Sequence, residues 1–150
     1  MNRRRGTRVI IPALVSALLA SAVAVGAVAT PAWADENDGY CTEREVCVFE
    51  HWYGGGGRRD YFNADPNFTD DTFWYFSGSW PAPSNAIVND RTSSVLNGDA
   101  YCKPALFQNA DYGGNALIIP YGDNDGYMVN DLSPWGMNDT ISSIAWRDCL

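Results

Sequence analysis

The chain writes one phrase twice: "NDRTSSV" at Asn89 to Val95 returns as "NDTISSI" at Asn138 to Ile144, 49 positions later. Two amide or acid side chains, two variable residues, two hydroxyls and an apolar residue recur in that order. The surroundings share no Ser or Asn bias that would generate the match. A repeat of this kind marks a duplicated structural unit, which leaves few folds open.

The duplication cannot include the first 34 residues. Arg3, Arg4, Arg5 and Arg8 form a basic head, Val9 to Ala29 carries no charge, and Ala32-Trp33-Ala34 offers the small residues of a signal-peptidase site. Residues 1–34 therefore read as a secretory signal. A retained anchor is the competing reading, because the apolar run could span roughly 30 Å; Pro12 and the A-x-A end favour cleavage. The expected product, residues 35–150, is one extracellular domain of 116 residues with no stable membrane insertion, read as a monomer. Four of the 10 Lys and Arg lie in the signal and all 18 Asp and Glu beyond it, so the domain carries 6 − 18 = −12. That charge repels phosphate backbones, which argues against nucleic acid, and favours cations wherever oxygens converge.

Cys41, Cys47, Cys102 and Cys149 are an even set in an oxidising compartment and read as two disulfides. Zinc is the poorer account, since there is no C-x-x-C pair and His51 is the only histidine. Three pairings are formally open. Beyond residue 34 no amphipathic helix of useful length appears. Short apolar runs such as Val46 to Phe49, Ala105 to Phe107 and Ile141 to Trp146 are bounded by Gly, Asn, Asp or Pro, the punctuation of an all-β domain.

Each half reads strand, aromatic-glycine hairpin, strand, long connection, N-D-x-x-S-S, strand, which matches a Greek key. In the second half Phe107, Tyr112 and Gly114 make the hairpin; in the first, Phe49, Tyr53 and Gly55 stand in the corresponding places. An aromatic, four residues, an aromatic, one residue and a glycine, followed by [ND]-[ND]-x-x-[ST]-S, resembles the repeat of the βγ-crystallin superfamily. The resemblance covers nearly all of residues 41–147. It implies a sandwich of two Greek keys, about 41–97 and about 101–149. Two departures stand out. Phe49 and Tyr53 are four apart instead of five, so the first hairpin reads as one residue short. Gly55 to Asn89 spans 34 positions against 24 from Gly114 to Asn138, an excess of about ten. Greek-key order brings a unit's fourth strand beside its first, which favours Cys102 with Cys149 and leaves Cys41 with Cys47.

The same resemblance implies calcium at the repeated phrase, with Ser93 and Asn89, and Ser142 and Asn138, contributing oxygens, and Asp90 and Asp139 adding negative charge. Six to eight oxygens are needed, so each ion would be shared between the turn of one unit and a loop of the other. The expected affinity is weak, about 10⁻⁴ M or poorer, given few formal charges. Ser94 and Ser143 are read as structural, bonding hairpin backbone.

No catalytic set emerges. Gly54 to Gly57 lacks the Lys-Ser/Thr ending and the helix of a phosphate loop and is a turn; His51 has no identifiable nucleophile beside it. The extra segment carries Phe73, Trp74, Tyr75, Phe76 and Trp80, aromatics of the kind that anchor partners; the competing reading is that they cover the core edge or extend a strand. Finally, the early C-x5-C, "VCVFEHWYGGGG" and two expected disulfides are similar to the secreted metalloproteinase-inhibitor family of streptomycete type. That resemblance implies an extracellular peptidase as partner, held by a pre-organised loop. The alternatives are a calcium-binding structural module and a toxin-like antimicrobial of the same fold.

Overall fold

The computed structural model describes residues 36–150, so the expected signal lies outside the described residues. Strands are β1 (Val46–Phe49), β2 (Arg58–Tyr61), β3 (Thr72–Ser77), β4 (Trp80–Ile87), β5 (Ser94–Asn97), β6 (Lys103–Asn109), β7 (Gly113–Ile118), β8 (Tyr127–Val129) and β9 (Ser143–Arg147). Two 3₁₀ turns, Trp52–Gly54 and Ser133–Trp135, are the helical content among these residues.

The strands form two antiparallel sheets, in the orders β4-β3-β2-β1-β5-β8 and β7-β6-β9. In each half the closing strand lies beside the opening one, β5 on β1 and β9 on β6, as a Greek key requires. The halves also exchange a segment. β8, from the second half, pairs with β5 of the first, with Val129 opposite Val95. In return Asp65 exchanges backbone hydrogen bonds of 2.9 and 2.8 Å with Ile144, and the Phe68 N–H donates to the Ser142 carbonyl at 2.9 Å. Neither half completes its own sheet.

The shared core follows from strand alternation. Val46 and Val48 of β1, Val95 of β5, Leu106 of β6 and Ile144 of β9 are fully buried in one cluster. Each such burial stabilises by about 1.5–3 kcal/mol. The alternate residues Ala105 and Phe107 of β6 form a small separate cluster with Ala145. The cysteines bond as Greek-key adjacency favours, Cys41 with Cys47 and Cys102 with Cys149.

The hairpin alignment expected from sequence is corrected. Phe49 and Phe107 are equivalent, since their carbonyls accept the N–H groups of Ser93 and Ser142, each at 2.9 Å. Ser94 Oγ bonds His51 O and Gly54 N, while Ser143 Oγ bonds Asn109 O and Tyr112 N. Gly54, not Tyr53, therefore stands where Tyr112 does, and Gly56 (φ 73°), not Gly55, where Gly114 (φ 75°) does. The two hairpins are the same length. Aromatic identity misled the alignment because Tyr53 (φ 58°) matches left-handed Asp111 (φ 54°) in backbone but not in side chain. Counted from Gly56, the first connection is 33 positions against 24, so the excess is nine.

The longer connection carries β3 and β4, a hairpin added to the free side of β2. It packs closely: a Cβ at Gly57 would lie 2.6 Å from Phe73 Cβ and 2.9 Å from Tyr75 Cζ, so only glycine admits it. Where Tyr112 meets Phe107 edge-on at 5.7 Å in the second half, Phe49 in the first has the Arg58 guanidinium at 5.7 Å. The same guanidinium lies 4.2 Å from the Phe76 ring and so joins the added hairpin to the sandwich.

Candidate functional site: paired turns and an added hairpin

The two N-D-x-x-S-S turns face each other about a pseudo-twofold. The Asp90 N–H donates to the Ile141 carbonyl at 3.0 Å and the Asp139 N–H to the Thr92 carbonyl at 2.9 Å. Both aspartates are left-handed, at φ 55° and 53°, a conformation that short polar side chains tolerate. The hydroxyls cross over. Ser93 Oγ donates to Asp139 Oδ1 at 3.2 Å, and Ser142 Oγ lies 3.1 Å from Asp90 Oδ1 and 2.9 Å from the Gln108 carbonyl.

The hydroxyls thus bond across the two units, Ser93 to Asp139 and Ser142 to Asp90. The asparagines turn back, Asn89 Nδ2 donating to Asp90 Oδ2 at 2.8 Å and Asn138 Nδ2 to Asp139 Oδ2 at 2.7 Å. An N-D pair therefore presents its carboxylate to the opposite unit, a pairing that one turn's sequence does not encode.

The two places are unequal. Around Ser142 the oxygens of Asp90 and Gln108 converge. Around Ser93 a depression is also lined by Arg91, and the Trp52 indole N–H occupies Asn138 Oδ1 at 3.2 Å. These are oxygen donors of the type hard cations take, and on the Ser93 side the Arg91 guanidinium is already paired with Glu50. Among the described residues no three His, Cys, Asp or Glu side chains gather as a metal set, so carbonyls and hydroxyls would have to supply most of any shell.

Ser94 and Ser143 do the backbone work expected of them. Each hydroxyl donates to one hairpin carbonyl, at 2.6 and 2.7 Å, and accepts one N–H, at 3.0 and 3.2 Å. Both are fully buried, so Ser94→Ala or Ser143→Ala leaves two backbone groups unpaired. Each is expected to lower unfolding free energy by about 1–3 kcal/mol, measured by urea titration.

The added hairpin divides the aromatics expected to bind a partner. Phe73 is fully buried in the main cluster, a correction forced by the closeness of β3 to Gly57. Trp74 Nε1 donates to Asn37 Oδ1 at 2.8 Å, and the Tyr75 hydroxyl donates to the Glu50 carboxylate. Phe76 is 39% exposed and Trp80, beside the Gly78-Ser79 turn, is 75% exposed. Only the hairpin's far end offers large aromatic surface.

Glu50 links the hairpin to the first turn, a connection sequence reasoning missed for want of any local pattern. Its carboxylate also accepts Gly57 N–H at 3.2 Å and pairs with Arg91. Burial opposes its ionisation, but the Tyr75 hydroxyl, Gly57 N–H and Arg91 prevail and hold its pKa below the usual range. Burial and the same carboxylate push the Tyr75 phenol up to about 12, keeping it a donor. His51 is exposed on the first hairpin.

No family model matches the chain, and no curated protein matches its sequence. Solved structures do match in shape. A domain from work described as "Evolution of the eye lens beta-gamma-crystallin domain fold" superposes with a TM-score of 0.56 at 23% identity, covering 75% of this chain and 93% of its own. A beta gamma crystallin from Ciona intestinalis gives 0.51 at 15% identity, covering 69% and 99%. The fold is that of the βγ-crystallin domains, a sandwich of two Greek keys, here carrying an added hairpin.

Proposed function

We propose that this chain is a secreted, non-enzymatic peptidase inhibitor directed at extracellular metallopeptidases, and that the β3–β4 hairpin is what it lodges in the target cleft. The observation that carries this reading is the hairpin itself: a feature of one half only, pinned by Gly57, Arg58 and Glu50, with Trp80 75% exposed at its end. An exposed aromatic on a rigid support loses little entropy on docking. Two disulfides suit an oxidising compartment, and residues 1–34 suit export. The class of target comes from the sequence resemblance.

Titration of the exported protein into thermolysin-type and serine-type peptidase assays tests the reading. The expected result is inhibition of the former; none at micromolar protein against either class ends it. Trp80→Ala is expected to weaken inhibition at least about tenfold, with thermal stability held within about 0.5 kcal/mol. Inhibition undiminished after replacing the hairpin's end with a Gly-Ser turn would move the inhibitory element elsewhere.

The crossed Ser–Asp pairs favour a second, compatible reading, a calcium-stabilised extracellular module. The Ser142 hydroxyl, Asp90 carboxylate and Gln108 carbonyl would hold the ion more tightly than the place at Ser93, where the hydroxyl meets Asp139 without a matching carbonyl bond. With Kd about 10⁻⁴ M, roughly 1 mM calcium stabilises by about 1.4 kcal/mol per site. Asp90→Asn is expected to remove most of that gain and Asp139→Asn less, read by melting with calcium or chelator. No shift at millimolar calcium rejects the reading.

A further inference from the structure

A cleft of about 410 Å³ lies at the far end of β5 from the paired turns and shares no residue with them. Its walls are the loop closed by Cys41–Cys47, the β5–β6 connection and the β7–β8 connection. Backbone bonds fix these walls: Gly98 N–H to Glu45 O at 2.8 Å, Arg44 N–H to Gly98 O at 3.2 Å, and Gly126 N–H to Asp123 O at 3.1 Å. The site is pre-formed.

Its chemistry is that of an acceptor. Glu43, Glu45, Asp123 and Asp125 line it, against Arg44 alone, whose guanidinium packs over the Phe62 ring at 5.7 Å. Glu45 is 1% exposed. Its Oε2 accepts the Thr42 N–H at 2.7 Å, but its Oε1 is buried with no hydrogen-bond partner. A buried carboxyl oxygen left unpaired is costly, and a positive charge held nearby lowers that cost. Leu96 and Tyr101 add apolar wall.

The dimensions and donor set select the ligand. A volume of about 410 Å³ falls within the range of organic ligand sites, roughly 300–1,000 Å³, and far exceeds one ion. Among the described residues no three acidic, His or Cys side chains converge as metal ligands. An alkyl stem ending in a cation uses both kinds of wall.

We propose that this cleft receives a basic side chain, Lys or Arg, of a polypeptide partner, with its stem along Leu96 and Tyr101 and its charge answered by Glu45, Asp123 and Asp125. The assignment does not depend on peptidase inhibition or calcium at the turns. Burial above all, with Asp60 and Asp38 adding repulsion and Thr42 opposing, pushes the Glu45 carboxyl up to about 7. Glu43, Asp123 and Asp125 also line the cleft, with Arg44 as the countercharge. A cation binds the ionised form, so affinity rises as pH climbs through about 7 and levels above it.

The test is a titration of the ¹⁵N-labelled, disulfide-bonded protein followed at the amides of Thr42, Glu45, Gly98 and Gly126. Probes are N-acetyl-arginine amide, its neutral isostere N-acetyl-citrulline amide, 1,4-diaminobutane and calcium chloride. The arginine amide is expected to saturate, to bind at least about tenfold tighter than the citrulline amide, and to strengthen from about pH 6 to about pH 8. Glu45→Gln is expected to weaken it about tenfold and to flatten the pH dependence. Should that variant misfold, Asp123→Asn with Asp125→Asn at the exposed rim is expected to weaken binding by itself. Equal binding of the citrulline amide, pH-independent binding, or no saturation overturns the proposal. Tighter binding of the diamine overturns the polypeptide assignment, and calcium shifting these amides when the arginine amide does not makes this an inorganic-ion site.

Discussion

Phe73→Ala is expected to remove about 3–5 kcal/mol of stability and to leave inhibition by the remaining folded protein unchanged. The ring is fully buried with Tyr61 and Phe68, which stack at 4.8 Å, and its Cβ sits over Gly57 where no side chain can fill the void. Truncation therefore leaves a cavity that the neighbouring strands cannot close. For a domain with about 5–15 kcal/mol in total, much of the reserve is lost. Guanidinium unfolding gives the first quantity and inhibition per folded molecule the second. Trp80→Ala, seven residues on, is expected to show the reverse pattern. Reduced inhibition with unaltered stability for Phe73→Ala would mean that β3 detaches to engage its target.

Replacing Cys102 and Cys149 together by serine is expected to cost about 4 kcal/mol, against about 2 kcal/mol for Cys41 with Cys47. The bridges span 47 and 6 positions, and the longer loop removes more freedom from the unfolded chain. Cys149 also follows β9, a strand whose partners are β6 and the single bridge at Asp65. Without the bond the carboxy-terminal end is expected to fray first, seen as early amide exchange at Ile144 to Arg147. Equal losses for the two bridges, by urea unfolding, would show that loop length does not govern their effect.

Much of the architecture was legible because it is written in local chemistry. N-D-x-x-S-S twice, short apolar runs between turn residues and four cysteines in Greek-key order led to the sandwich, the bonded pairs and the backbone roles of Ser94 and Ser143. The alignment of the first hairpin failed for an equally local reason: Tyr53 has the expected aromatic ring, yet Gly54 has the expected place. Hydrogen bonds from a residue 40 positions away, Ser94, decide the register.

What the sequence determined by itself is the β class, the duplication and the chemical kind of each turn, since these depend on side chains within a few residues of one another. The tertiary structure alone decided which oxygens meet, pairing Ser93 with Asp139 and Ser142 with Asp90 across 46 and 52 positions. It also buried Phe73 while exposing Trp80, and left Glu45 with an unanswered oxygen. Such outcomes depend on how two sheets close over a common core, and no short window of residues carries that geometry.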